Sequence, residues 1–133
     1  MEKKSAILLA LGSNHDAELN MENAKGMLQH LFKGVVYSSC IWTDPINIES
    51  NKFLNCLALA ESTHNLKQLE MALKQIEKKC GDSKSKRRMN IIRMDIDVLE
   101  YRGAIYHEKD WDRPYIKELM GELNIKSKES ENQ

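Results

Sequence analysis

What this chain lacks narrows it first. It has no net charge, because 20 basic residues balance 20 acidic ones. A dedicated nucleic-acid binder needs a basic surplus to displace counterions from phosphates, so no nucleic-acid partner is expected. It also has no long apolar segment. The run Ala6-Ile7-Leu8-Leu9-Ala10-Leu11 ends at Gly12, too short for a signal-peptide core and far below the ~20 residues of a membrane helix. No membrane partner is expected, and the cytoplasm is the default location. There is no cysteine framework. Cys40, Cys56 and Cys80 are odd in number and lack metal-like spacing, so they read as small buried hydrophobes in a reducing compartment. No repeat or linker interrupts the 133 residues. One domain is expected over 1–125, followed by a disordered polar tail over 126–133.

What is present is an ordinary globular composition, 41% hydrophobic and 30% charged. A chain of this length buries roughly two-thirds of its unfolded surface and can hold a core without staples. The run ending in Gly12-Ser13-Asn14 predicts a buried central strand. Asp16 is placed to cap a helix from about 17 to 32, in which Met21, Ala24, Leu28 and Leu31 share a face. Val35 to Thr43 reads as a second strand, and Thr43-Asp44-Pro45 opens a polar loop. Phe53 to Ser62 reads as a third strand with Leu54, Cys56, Ala58 and Ala60 on one face. Asn65 with Gln68 forms a capping-box pattern before a helix that Gly81 stops. Residues 82–90 read as a flexible basic loop, Ile91 to Tyr101 as a fourth strand, and 104–106 as a short fifth. A last helix is expected over about 113–123. The order predicts an α+β, ferredoxin-like βαββαβ sandwich: an antiparallel sheet with helices on one face and a second face free for a ligand.

The sharpest chemical feature is Arg93-Met94-Asp95-Ile96-Asp97-Val98. Side chains alternate along a strand, so Asp95 and Asp97 point the same way, about 7 Å apart along the backbone. Two carboxylates this close repel unless a cation lies between them, and a hard ion such as Mg²⁺ suits two carboxylates plus phosphate oxygens. A lone Asp-x-Asp is also the pattern of a solvent-facing strand. The preceding Lys84, Lys86, Arg87 and Arg88 add cations that could neutralise a metal-bound polyphosphate. Phe53 and Asn55 share a strand face, an aromatic plane beside an amide that suits a flat heterocycle.

Taken in order, Gly12-Ser13-Asn14, Thr43-Asp44-Pro45, Phe53-Leu54-Asn55, Ile76-Glu77 with Gly81, and Asp95-Ile96-Asp97-Val98-Leu99 resemble the 6-hydroxymethyl-7,8-dihydropterin pyrophosphokinases of folate biosynthesis. The resemblance spans about Ser5 to Tyr101. It implies the ferredoxin-like fold and transfer of pyrophosphate from ATP to the pterin hydroxymethyl group, with release of AMP. It implies that Asp95 and Asp97 hold two Mg²⁺ ions with ATP. Thr43, Pro45, Phe53, Asn55 and Tyr115 would face the pterin, with Asn14 close by. Arg93 and Arg88 would be catalytic cations, and Glu77, Lys84 and Arg113 would serve the nucleotide. A monomer acting on ATP and hydroxymethyldihydropterin is expected.

The chain departs from the family pattern in specific places. Ile92 stands where the family usually has arginine, with Arg93 one step later and expected on the aspartates' own strand face. Asp82 replaces one loop cation, and a Pro-His segment after the fourth strand is missing. These departures suit an alternative, a non-catalytic relative that binds pterin or nucleotide. A third reading is an interaction domain without a small ligand.

Overall fold

The apolar run near the start becomes the middle of a sheet because both of its neighbours arrive from distant sequence. The computed structural model describes residues 4–131, with side chains over 4–124. Strand β1 (Ser5–Ser13) leads through helix α1 (Ala17–Leu31) to two short strands, β2 (Val35–Tyr37) and β3 (Ile41–Thr43). Strand β4 (Phe53–Ser62), helix α2 (Leu66–Lys79) and a short helix α3 (Lys84–Arg88) follow. Strands β5 (Asp95–Tyr101) and β6 (Ala104–Ile105), a 3₁₀ helix (Glu108–Asp112) and helix α4 (Pro114–Glu131) complete the chain. The sheet runs β2-β4-β1-β5-β6, with β3 beside β4, and every pairing is antiparallel. This is the expected ferredoxin-like α+β arrangement. The tail expected over 126–133 lies outside the residues whose side chains are described. Among the described residues no helix is long and apolar enough to cross a membrane.

The two faces of the sheet differ. On one, Ile7, Leu9 and Leu11 of β1 meet Leu28 of α1 and Leu69 and Leu73 of α2 in the main core. The capping box is complete: Asn65 accepts from the Gln68 amide at 2.9 Å and Gln68 accepts from the Asn65 amide at 3.0 Å. The other face is not wholly free. Ile116, Leu119 and Leu123 of α4 cover Leu8, Leu57 and Leu99. The end of the sheet near Gly12 is left open.

Several local expectations are corrected. Val35–Thr43 is two strands because the register on β4 shifts by one residue between Tyr37↔Ala58 and Ile41↔Asn55. Ser38 serves the break, donating its amide to the Leu57 carbonyl at 2.9 Å and accepting the Leu57 amide on Oγ at 2.8 Å. Asp16 does not cap α1 with its side chain: it has φ 46, and its carboxylate lies 3.4 Å from Arg93 Nη1. The strand expected from Ile91 begins at Asp95, because both backbone polar groups of Ile92 bond to Asn14 instead of a ladder partner. Residues 82–90 are not a loop throughout. Ser83 accepts the Lys86 amide at 3.2 Å and starts α3.

Gly81 ends α2 for two separate reasons. Its φ is +99, and an added Cβ would lie 2.4 Å from Arg93 Nε. Gly81→Ala is therefore expected to destabilise the fold by about 1–3 kcal/mol, the usual cost of a non-glycine residue in such a backbone state. A urea midpoint unchanged from wild type would refute this.

Candidate active site

The open end of the second face is built from small residues flanked by polar ones. Gly12 of β1 lies between Asn55 of β4 and Asp95 of β5, and Ala10 lies opposite Asp97. With glycine and alanine on the central strand, no side chain fills the space between the amide and the carboxylates. A Cβ at Gly12 would sit 3.4 Å from Asn55 Oδ1. Asn55 Nδ2 is committed to Thr43 Oγ1 at 2.7 Å, which leaves Oδ1 as the group facing Gly12. Around this floor is a cavity of about 280 Å³, walled by Thr43, Ile46, Ile48, Phe53, Ile92, Arg113 and Tyr115. A second cavity of about 600 Å³ lies between α2, α3 and β5, with Glu77, Lys84, Tyr106 and His107 in its walls. Arg87, Asp95 and Asp97 line both. The aspartate pair is the partition between two compartments.

The partition is electrostatically strained. Burial, followed by the charge and hydrogen bonding of Asp95, pushes the Asp97 carboxyl up to about 8, with Glu77 and Asp110 adding to it. Glu77 is also raised, chiefly by burial, although it accepts the Ile96 amide at 2.7 Å. Arg87 answers part of this charge. Its Nε donates to Asp82 Oδ1 at 2.6 Å, and its Nη2 donates to Asp95 Oδ1 at 3.2 Å. Burial works against the guanidinium, but Asp82 and Asp95 outweigh it and raise its pKa. Among the described residues, no arginine or lysine forms an ion pair with Asp97. Its nearest basic neighbour is His107, whose Nε2 lies 3.7 Å from Asp97 Oδ1. Asp97, His107 and Asp110 each offer a donor atom within 4.8 Å of the others. The donor set at Asp95 and Asp97 is all carboxylate oxygen with excess negative charge, which fits a hard divalent cation.

Most residues singled out from sequence converge here. Asp95, Asp97, Thr43, Phe53, Asn55, Arg113 and Tyr115 line the first cavity, and Glu77 and Lys84 the second. Burial raises the Tyr115 hydroxyl pKa. Four residues are placed elsewhere. Asn14 is buried and spends its amide on the chain, donating from Nδ2 to the Asn90 carbonyl at 2.8 Å and accepting the Ile92 amide at 2.7 Å. Arg93 does not share the aspartates' face, because it precedes β5 and its Nε donates to the Cys80 carbonyl at 2.7 Å. Arg88 is exposed on α3 and lines neither cavity. Pro45 shapes the loop between Asp44 and Ile46, and those two neighbours, not Pro45, contribute to the wall.

Two residues were not foreseen, and a third was noted only as one of four loop cations. Arg87 is the loop cation that reaches the site, and the helical phase of α3 would have identified it had Ser83 been read as a cap. His107 and Asp110 are delivered by the turn after β6 and the 3₁₀ helix, and no local pattern marks them.

Comparison with curated proteins returns no match. A sequence model of one family, the 7,8-dihydro-6-hydroxymethylpterin-pyrophosphokinases, matches residues 8–125, most of the chain and all of both cavities' walls. With the ferredoxin-like sheet, the match places this chain in the 7,8-dihydro-6-hydroxymethylpterin-pyrophosphokinase family.

Proposed function

We propose that this protein transfers pyrophosphate from ATP to 6-hydroxymethyl-7,8-dihydropterin, releasing AMP. One observation carries the reading: two adjoining cavities of different shape share a wall made of Asp95, Asp97 and Arg87. The smaller, flat-floored cavity suits a pterin. Phe53 offers a ring face, Asn55 an amide edge, and Thr43 holds that amide in place. Lys84, Arg87 and Glu77 line the larger one, which suits a nucleotide. Asp95 and Asp97 would hold Mg²⁺, which neutralises phosphate charge when bound. The substrate hydroxymethyl oxygen attacks the β-phosphorus and AMP leaves. The protein's part is alignment across the shared wall and cationic support from Arg87 and Arg113. The same reading carries a cytoplasmic monomer, in keeping with a reaction between two small diffusible substrates.

A second reading, binding without turnover, has its own observation. Ile92 lines the first cavity while Arg93 is held away from it by Cys80 and Asp16. Incubation with ATP, Mg²⁺ and hydroxymethyldihydropterin separates the two. AMP release supports the first. Mg²⁺-dependent ATP binding in a calorimeter, with no AMP from folded protein, supports the second.

A further inference from the structure

Cys40 and Cys56 have no role in the chemistry proposed above, although Cys56 borders the first cavity, and both were expected to be merely buried. Cys56 is buried, but Cys40 is exposed. The β3–β4 register pairs Thr43 with Phe53, Trp42 with Leu54 and Ile41 with Asn55. Continued one step past Ile41, that register would set Cys40 against Cys56, beside the break that Ser38 makes. Cys40 lines a surface depression with Trp42 and Leu54, the neighbouring cross-strand pair. The two thiols act on each other as charge and hydrogen-bond neighbours. Residues directly opposite on antiparallel strands have Cα atoms about 4.5–5.5 Å apart, within the range a disulfide spans. Lys25 of α1 adds a cation, with Nζ 3.7 Å from Cys40 Sγ.

We propose that Cys40 and Cys56 form a reversible cross-strand disulfide in response to hydrogen peroxide. Cys40 is the attacking sulfur, being exposed and in contact with Lys25. Cys56 is the resolving one, because burial pushes its thiol up to about 11 and leaves it a poor first nucleophile. In the first step the Cys40 thiolate attacks the peroxide: an S–O bond forms, the O–O bond breaks, and hydroxide leaves. Cys56 sulfur then attacks the sulfenic acid, an S–S bond replaces the S–O bond, and the hydroxyl departs as water with the Cys56 proton. Two thiols are oxidised and one peroxide is reduced to two waters. The crosslink would sit immediately behind Ile41 and Asn55, whose carbonyl and amide meet at 3.4 Å beneath the first cavity. Cys80, buried at the end of α2 and bonded to the Asn20 carbonyl, takes no part.

The test uses the full chain in its folded state, treated with hydrogen peroxide, quenched, alkylated after unfolding and mapped by mass spectrometry. The expected product is a Cys40–Cys56 linked peptide that dithiothreitol reverses, with Cys80 alkylated throughout. In Cys40→Ser, Cys56 should stay fully alkylatable. Lys25→Gln should slow the reaction several-fold and Lys25→Arg restore it. Oxidation that stops at a Cys40 sulfinic acid with Cys56 still free, or linkage only after denaturant is added, would overturn the proposal.

Discussion

Replacing Asp97 by asparagine is expected to reduce AMP release by about 10²-fold or more while making the metal-free protein more stable at pH 8. The two halves have one cause. A carboxyl lifted from 3.8 to about 8 in the folded state is held where its charge is unwelcome. Between those values the folded chain keeps the proton that the unfolded chain releases. Stability is therefore highest below about pH 4 for this group, falls as pH rises, and carries the full penalty above about 8. In metal-free buffer the melting temperature of wild type should decline from pH 5 to 8 more steeply than that of Asp97→Asn. Adding Mg²⁺ with ATP should raise the wild-type melting temperature and leave the variant's unchanged. The rate loss is of the size seen when a single electrostatic contact to a developing charge is removed. Asp95 behaves differently, because it already has Arg87 at 3.2 Å. Asp95→Asn removes that half-exposed ion pair, worth at most about 1 kcal/mol, so the double Asp→Asn variant should lose ATP binding with a smaller gain in stability. A lower melting temperature for Asp97→Asn at pH 8 would show that Asp97 is structurally bonded instead.

Asn14→Ala is expected to cost about 2–4 kcal/mol, the sum of two poorly replaced hydrogen bonds at a buried position. Asn14 is only 4% exposed, and its amide joins the Asn90 carbonyl and the Ile92 amide from across the sequence. Its backbone amide adds a third tie to the Ile92 carbonyl at 2.9 Å. The substitution would keep that last bond and orphan the other two partners. Because the segment it anchors runs from α3 into β5, hydrogen exchange should quicken at residues 90–94 before it does in β1 or β4. Chemical denaturation gives the first number and exchange mass spectrometry the second. A loss below about 1 kcal/mol, or exchange that rises uniformly, would mean that water replaces the amide without cost.

Residue type and period made much of this protein legible. The alternation of β4 correctly assigned Leu54, Cys56, Ala58 and Ala60 to the main core, and the capping box at Asn65 opened α2 where expected. The Asp95 and Asp97 pair could be placed on one face because a strand period of two leaves no choice. Cations were harder. Arg87, Arg88 and Arg93 lie within a few residues of one another, and which of them faces the site depends on the α3 helical turn and on whether 91–94 joins the sheet. The first could have been read from the Ser83 cap, but the second depends on Asn14, far away in the chain. Asn14 misled for a related reason: a polar residue after a glycine turn looks available until a distant backbone takes its amide.

By itself, then, the sequence determined the order of elements, the face each strand buries, and the juxtaposed carboxylates, because these follow from periodicities that act over a few residues. Only the tertiary structure decided the rest. The closure of half of the second face by α4, the small residues of β1 between Asn55 and Asp95, and the arrival of His107 and Asp110 beside Asp97 depend on contacts between segments far apart in the chain. Such contacts are selected by packing and hydrogen-bond satisfaction over the whole domain, and local spacing carries no record of them.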